Sequence, residues 1–229
     1  MRGKNRDVRG AWYTGAMEIT KLGHCCLVIK VDGVTIMTDP GIFSTSQNDA
    51  HGIDLVLYTH EHPDHLHIES LVQVMKNNPE MKIIANSAVG KLLVEAGIAH
   101  DVLEGTSSTT FKGVTIEACD AKHEEIFEEI GQVQNTGFFI ANKLFYPGDA
   151  FKEPGKPVDI LALPVAGPWC KLADAIRYAL RVKPRVAFPV HDGIVKDGIL
   201  RVVHGLPGKV LPEHGIAFEP LCEGDTKTF

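Results

Sequence analysis

The 229-residue sequence has no apolar run long enough to span a bilayer, and its N-terminus lacks the hydrophobic stretch of a secretory signal. A cytoplasmic protein with no membrane contact is the expectation. Excess positive charge is missing as well: 23 Lys and Arg stand against 29 Asp and Glu, a net charge of -6. Broad phosphate binding needs clustered basic residues, so nucleic acid is not an expected partner; a small-molecule substrate is, and homo-oligomer formation is left open. Cysteine is scarce and odd in number. Cys25, Cys26, Cys119, Cys170 and Cys222 show no C-x-x-C spacing, which argues against a disulfide framework or a cysteine-rich zinc knuckle and fits reduced, buried thiols. Repeats and low-complexity linkers are absent, and the length suits one domain with its own core. Residues 1–16, carrying four basic residues and no periodicity, are set apart as a tail, leader or expression remnant, with the domain spanning 17–229.

What is abundant is punctuated strand pattern. In "CCLVIKVDGVTIMTDPG" the apolar positions alternate around Asp32-Gly33, which predicts a β-hairpin running into Asp39-Pro40-Gly41. "IDLVLYTH" reads as a strand buried on both faces and ending at His60. Past Pro63, the spacing of Ile68, Leu71, Val72 and Met75 predicts an amphipathic helix beginning near Asp64. "KIIAN" and "SAVGKLLVEAG" follow as strand and helix, then "STTFKG", "VTIEACDAKH" and "TGFFIANKLFYPGD" as β structure. "DILALPV", "KLADAIRYALRVK" and "RVAFPVH" read as strand, helix and strand. Asp39, His60, His123, Asp149 and His191 thus stand at the C-terminal ends of predicted strands, the edge where sites assemble in α/β sheets.

"YTHEHPDHLHIESL" concentrates metal-capable side chains. His60 and His62, two apart at a strand exit, can converge on one ion, while Asp64 and His65 beyond Pro63 point elsewhere and can serve a second. One loop cannot close two coordination spheres, so His123, Asp149 and His191 are the distant candidates, and the two oxygens of Asp149 suit a bridge. Imidazole and carboxylate donors favour zinc, with manganese or iron as alternatives. Two such ions together can activate a water, which makes this a candidate hydrolase site.

The ordered set H60-x-H62-x-D64-H65, with Asp39 upstream and His123, Asp149 and His191 downstream, resembles the metallo-β-lactamase superfamily of binuclear metallohydrolases. The resemblance runs from about Met17 to the C-terminus. It implies an α/β fold, an αββα sandwich of two mixed sheets flanked by helices with the site at one edge. It also implies His60, His62 and His123 on one ion, Asp64, His65 and His191 on the other, and Asp149 bridging. Asp39 would orient the histidine loop without being a ligand. "LGHCCLVI" and "LPVAGPWCKLADAI" are similar to the short, single-domain branch that includes ascorbate 6-phosphate lactonase-like proteins. His62 stands where flavodiiron relatives carry Glu, which argues against a redox di-iron role.

Together these readings predict a hydrolase in which a metal-bound hydroxide attacks a small ester, lactone, amide or phosphoester. Asp64, Asp149 and His24 are the catalytic candidates, and Trp169, Lys171 and His24 the substrate-contacting ones. Trp169 and Lys171 read equally well as a core cap and a solvated first-turn residue. His67 is assigned to an exposed helix face, and His51, His100, His204 and His214 to ordinary structural roles. A phosphodiesterase or nuclease of the same fold and a non-catalytic metal-binding regulatory module are the rival readings.

Overall fold

The computed structural model describes residues 15–229. The N-terminal segment set apart above lies outside the described residues as far as residue 14. The first half of the chain forms β1 (Glu18–Gly23), β2 (Cys26–Val31), β3 (Val34–Thr38), β4 (Leu55–Tyr58), α1 (Ile68–Asn77), β5 (Lys82–Ala85), α2 (Ser87–Glu95) and β6 (Asp101–Val102). The second forms β7 (Ser108–Phe111), β8 (Val114–Lys122), β9 (Gln134–Ile140), β10 (Leu144–Tyr146), β11 (Ile160–Pro164), α3 (Leu172–Val182), β12 (Val186–Val190), α4 (Asp197–Glu213), β13 (Ala217–Phe218) and β14 (Thr226–Thr228).

The strands build two seven-stranded sheets, ordered β14-β1-β2-β3-β4-β5-β6 and β13-β12-β11-β10-β9-β8-β7. Each is mixed: β1 to β3 are antiparallel and β3 to β6 parallel, while β7 to β10 are antiparallel and β10 to β13 parallel. Period-two alternation assigns the layers. Leu55 and Leu57 of β4 face the core between the sheets, whereas Val56 and Tyr58 face α1 and α2. Each of those leucines has no solvent exposure and contributes about 1.5–3 kcal/mol through burial. Leu161 and Leu163 of β11 pack outward with Ala175, Ile176 and Ala179 of α3 and with Val203 and Leu211 of α4. The result is the αββα sandwich. Among the described residues no helix is long and apolar enough to cross a membrane.

The β2–β3 hairpin turns at Asp32 and Gly33, with φ of 50° and 77°, so both central residues take the positive φ of a type I′ turn. Two expectations need correction, the start of the first helix and the place of His67. The helix foreseen near Asp64 begins at Ile68, because the His62 carbonyl accepts from both the His65 and Leu66 amides and closes a separate turn. "TGFFIANKLFYPGD" is β structure as expected, the β9–β10 hairpin turning at Ala141 and Asn142, both of which adopt positive φ. His67 precedes α1 in an extended conformation and is half-buried, its ring bonded to Ser70 and paired with Glu69. It is therefore not part of an exposed helix face.

Candidate metal centre

The strand exits named from sequence meet at one edge of the sandwich. The Thr59 carbonyl, just after β4, accepts from the Thr136 amide, the Asp149 carbonyl from the Glu124 amide, and the His24 carbonyl from the His191 amide. These bonds tie exits from both sheets together. The loop that follows β4 needs Gly41 beside it: a Cβ there would lie 1.9 Å from the Asp64 carbonyl oxygen. Gly148 has the same role before Asp149, with φ of +65° and a notional Cβ 2.3 Å from Asn135 Oδ1.

Two groups of donors flank Asp149. One nitrogen each from His60, His62 and His123 lie within 4.8 Å of one another, as do donor atoms of Asp64, His65, Asp149 and His191. Asp149 spans both. Its Oδ2 is 2.8 Å from His191 Nε2, 3.3 Å from His123 Nε2 and 3.8 Å from His60 Nε2, and its Oδ1 is 3.2 Å from His65 Nε2.

The rings are aimed by their other nitrogens. His65 Nδ1 donates to Asp39 Oδ2 at 2.8 Å, and His123 Nδ1 to the Glu124 carbonyl at 2.5 Å. Thr59 Oγ1 gives its single proton to Asp39 Oδ2 at 2.7 Å, so it accepts from His60 Nδ1 at 3.0 Å. With Nδ1 protonated in all three rings, the Nε2 lone pairs face the centre. His60, His65, His123 and His191 Nε2, together with Asp149 Oδ1, are buried without a hydrogen-bond partner among the described residues. Each such orphan costs about 1–3 kcal/mol. Five in one place, all electron-pair donors when the rings are neutral, match a cationic occupant, and imidazole with carboxylate is the donor set of a divalent transition metal.

Asp39 lies outside both groups and bonds to Thr59 and His65. His24 is buried, its Nε2 3.3 Å from Asp64 Oδ2 and its Nδ1 accepting from the Gly193 amide at 3.2 Å. Trp169 donates from Nε1 to Asp149 Oδ2 at 2.9 Å, which brings it into the centre. Lys171 is exposed at the N-terminal flank of α3, and its ammonium makes none of the site's hydrogen bonds or ion pairs. His51 and His214 are exposed, and His100 reaches the Ile98 carbonyl and packs over Gly90. His204 bonds to buried Asp192 at 2.7 Å.

Sequence reasoning also passed over Thr59, Tyr146 and Asn135. Tyr146 donates to Asp39 Oδ2, and Asn135 Oδ1 accepts from the Asp149 amide. A polar residue immediately before His60, at the exit of an otherwise apolar strand, was the available signal for Thr59. All five cysteines are free. Burial, with Asp149 and Asp174, pushes the Cys170 thiol up to about 12, unsuited to a nucleophile. Cys25, grouped with His24, His65 and His191, is held at about 6: burial raises it, but the three imidazoles outweigh that.

Protons and metal compete for this centre. Burial lowers His60 and His62 below the ordinary histidine range. It would lower His65 and His191 too, but Asp149 and further anionic neighbours outweigh it and hold both well above that range. Above pH of about 6.5, where histidines of the unfolded chain are neutral, the stability due to His65 and His191 is lost as pH rises through their folded values. Below it, the unfolded chain protonates at His60 and His62 positions that the folded chain keeps neutral, and stability falls again. The melting temperature of the chelator-stripped protein is therefore expected to peak near about pH 6.5, and divalent-ion uptake above it to release protons. Calorimetric titration in buffers of different ionisation enthalpy checks the second point; a melting temperature flat from mildly acidic to alkaline pH would contradict the first.

The model of the beta-lactamase superfamily domain matches residues 18–191, from the start of β1 to His191. The Mycobacterium tuberculosis protein Rv0786c is 31% identical over 194 residues, covering 82% of this chain and 90% of that protein. A Methanobrevibacter smithii protein named UPF0173 metal-dependent hydrolase is 31% identical over 205 residues, covering 76% of this chain and 81% of its own length. Among solved structures, Igni18, described as a metallo hydrolase from Ignicoccus hospitalis, superposes with a TM-score of 0.74 at 20% identity, covering 93% of this chain and 98% of that one. That last likeness speaks for the fold.

Proposed function

The chain belongs to the beta-lactamase superfamily, and from that membership we propose that it is a metal-dependent hydrolase of a small ester, lactone, amide or phosphoester. The observation that carries the reading is the set of five orphaned, buried donor atoms around Asp149. His60, His62 and His123 would hold one divalent ion, Asp64, His65 and His191 a second, and Asp149 would bridge them. Zinc is the first choice, with manganese or iron as alternatives. When bound, such ions supply Lewis acidity, lowering the pKa of a water and drawing charge from the scissile bond onto the substrate oxygen.

The chain's own residues supply position and protons. Trp169 fixes Asp149 Oδ2, and Asp39 and Thr59 fix two rings. His24 accepts the Gly193 N–H at Nδ1, so its neutral ring carries the proton on Nε2, facing Asp64 Oδ2. That places a transferable proton at the rim of the second donor group and makes His24 the candidate donor to the leaving group, with Asp64 orienting it. Phe43, partly exposed and edge-on to His24 at 5.3 Å between ring centroids, offers an apolar surface beside that proton.

The test joins elemental analysis of gently purified protein to a panel of lactones, esters, thioesters, phosphodiesters, β-lactams and oligonucleotides. About two ions per chain and turnover of small substrates are expected. Efficient oligonucleotide cleavage with steep salt dependence would favour the phosphodiesterase reading. Two tightly held ions with no turnover across the panel would favour the non-catalytic one. His24→Ala is expected to lower kcat by about 100-fold or more with metal content unchanged. Unchanged kcat would remove His24 from the reaction. A cytoplasmic location and the absence of nucleic-acid and membrane partners belong to the same proposal.

A further inference from the structure

Behind the centre, three charged or polar side chains, from β1, the turn after β12 and α4, form a second buried network that the reaction does not use. Lys21 in β1 is 1% exposed, and its ammonium donates to Asp192 Oδ1 at 2.5 Å, the Pro189 carbonyl at 3.0 Å and the Leu221 carbonyl at 3.2 Å. All three of its protons are used. Asp192, 6% exposed, accepts from His204 Nε2 of α4 at 2.7 Å through its other oxygen. Burying an ion pair costs desolvation that a well-packed apolar pair avoids, so stability alone is a weak reason for this arrangement.

Its position supplies a better one. Pro189 lies near the end of β12 and Asp192 follows His191, so the network grips the chain on both sides of that histidine. His191 has φ of 62°, a left-handed conformation that a non-glycine residue keeps only when its surroundings over-determine it. Its Nδ1 finds no hydrogen-bond partner among the described residues, unlike the aimed nitrogens of His60, His65 and His123. With Nδ1 unbonded, the ring is placed by the approach of Nε2 to Asp149, by packing on His24 and Trp169, and by the backbone that carries it. Two residues after His191, Gly193 gives its N–H to His24 Nδ1 and packs so closely that a Cβ would lie 3.0 Å from His24 Cβ.

We propose that Lys21, Asp192 and His204 are positioning residues for His191 and, through Gly193, for His24, holding the 189–193 turn in its strained shape so that the second ion subsite is formed before an ion arrives. The inference rests on the assignment of His191 to that subsite. It does not concern the His60–His62–His123 group, which no member of the network touches.

The experiment compares the full-length wild type with Asp192→Asn, His204→Ala and His204→Gln. After chelation each is titrated with Zn(II) by calorimetry and with Co(II) by visible absorption, and the metal-free melting temperature is recorded. His204 borders a surface pocket of about 300 Å³, so its truncation opens to solvent and not into the core. Asp192→Asn and His204→Ala are expected to weaken the second ion by about tenfold or more while the first binds as in wild type, and to alter the Co(II) spectrum of the second step only. His204→Gln, which keeps a donor near the Nε2 position, is expected to restore it. Two ions bound with wild-type affinity and spectra in His204→Ala would overturn the inference, and so would equal weakening of both ions in step with the melting temperature. If Asp192→Asn does not fold, the His204 pair decides alone. A wild type that binds fewer than two ions would overturn the two-subsite reading itself, which separates the two failures.

Discussion

Replacing Asp149 with alanine is expected to abolish turnover and to strip both ions, the largest effect of any single substitution in the centre. Its carboxylate, 1% exposed, is the group that reaches His123 and His60 on one side and His65 and His191 on the other. Loss of an outer partner of a ligand costs roughly 10–100-fold in metal affinity, and a carboxylate that adjoins both donor groups should exceed that for each. The pH behaviour should change with it. Asp149 is the strongest of the anions opposing the burial that would lower His65 and His191, so the metal-free variant should lose much of its decline in stability above about pH 6.5. Asp149→Asn is the intermediate case, keeping an acceptor for Trp169 but not the charge. His67→Ala is the control, because that ring is bonded to Ser70 and Glu69 outside both donor groups. Metal content per chain and kcat/KM, measured on the same preparations, decide the matter. If Asp149→Ala kept both ions and turnover while His67→Ala lost them, the proposed ligand set would be wrong.

The parts legible in the sequence are those with a local cause. Alternation in "CLVIKV" and "VTIMT", with Asp-Gly between them, specifies a hairpin because turn type and strand period are set within a dozen residues. The candidate site was legible for a related reason: four of its residues lie in one loop, and the others end strands whose apolar runs are plain. What escaped has a non-local cause. The start of α1 moved because a tight turn at His62 to Leu66, useful only to a centre assembled from distant strands, overrides the helical spacing. The 17-residue α4 went unread because Pro207 and Pro212, with three glycines, obscure a buried stripe that is only Val203, Pro207 and Leu211. Lys21 in "EITKLG" looks like a solvated strand residue, and nothing nearby announces that its partner is 171 positions away.

Asp39 brings local and distant causes together, and its replacement carries the second large effect. The side chain has no solvent exposure and accepts four hydrogen bonds: at Oδ1 from the Thr59 amide, 2.8 Å, and at Oδ2 from Thr59 Oγ1, His65 Nδ1 and Tyr146 OH, at 2.7, 2.8 and 2.8 Å. Asp39→Ala strands these donors in the interior and should cost about 3–5 kcal/mol, a fall in melting temperature on the order of 10 °C for a chain of this size. Asp39→Asn separates that cost from the metal chemistry. The Thr59 amide can only donate, so it selects the new amide's oxygen for the Oδ1 position and turns the NH₂ toward His65 Nδ1. Two hydroxyls can rotate to accept from that group, but a protonated Nδ1 cannot. His65 is then driven to the other tautomer, with its proton on Nε2, the atom that faces Asp149 and the second donor group. The expected result is a protein that melts within a few degrees of wild type yet binds close to one ion where wild type binds two, with ¹⁵N chemical shifts showing the exchanged tautomer in the metal-free state. Wild-type affinity for both ions in Asp39→Asn would mean that the carboxylate supports the fold alone, and that His65 is aimed by something other than its bond to Asp39.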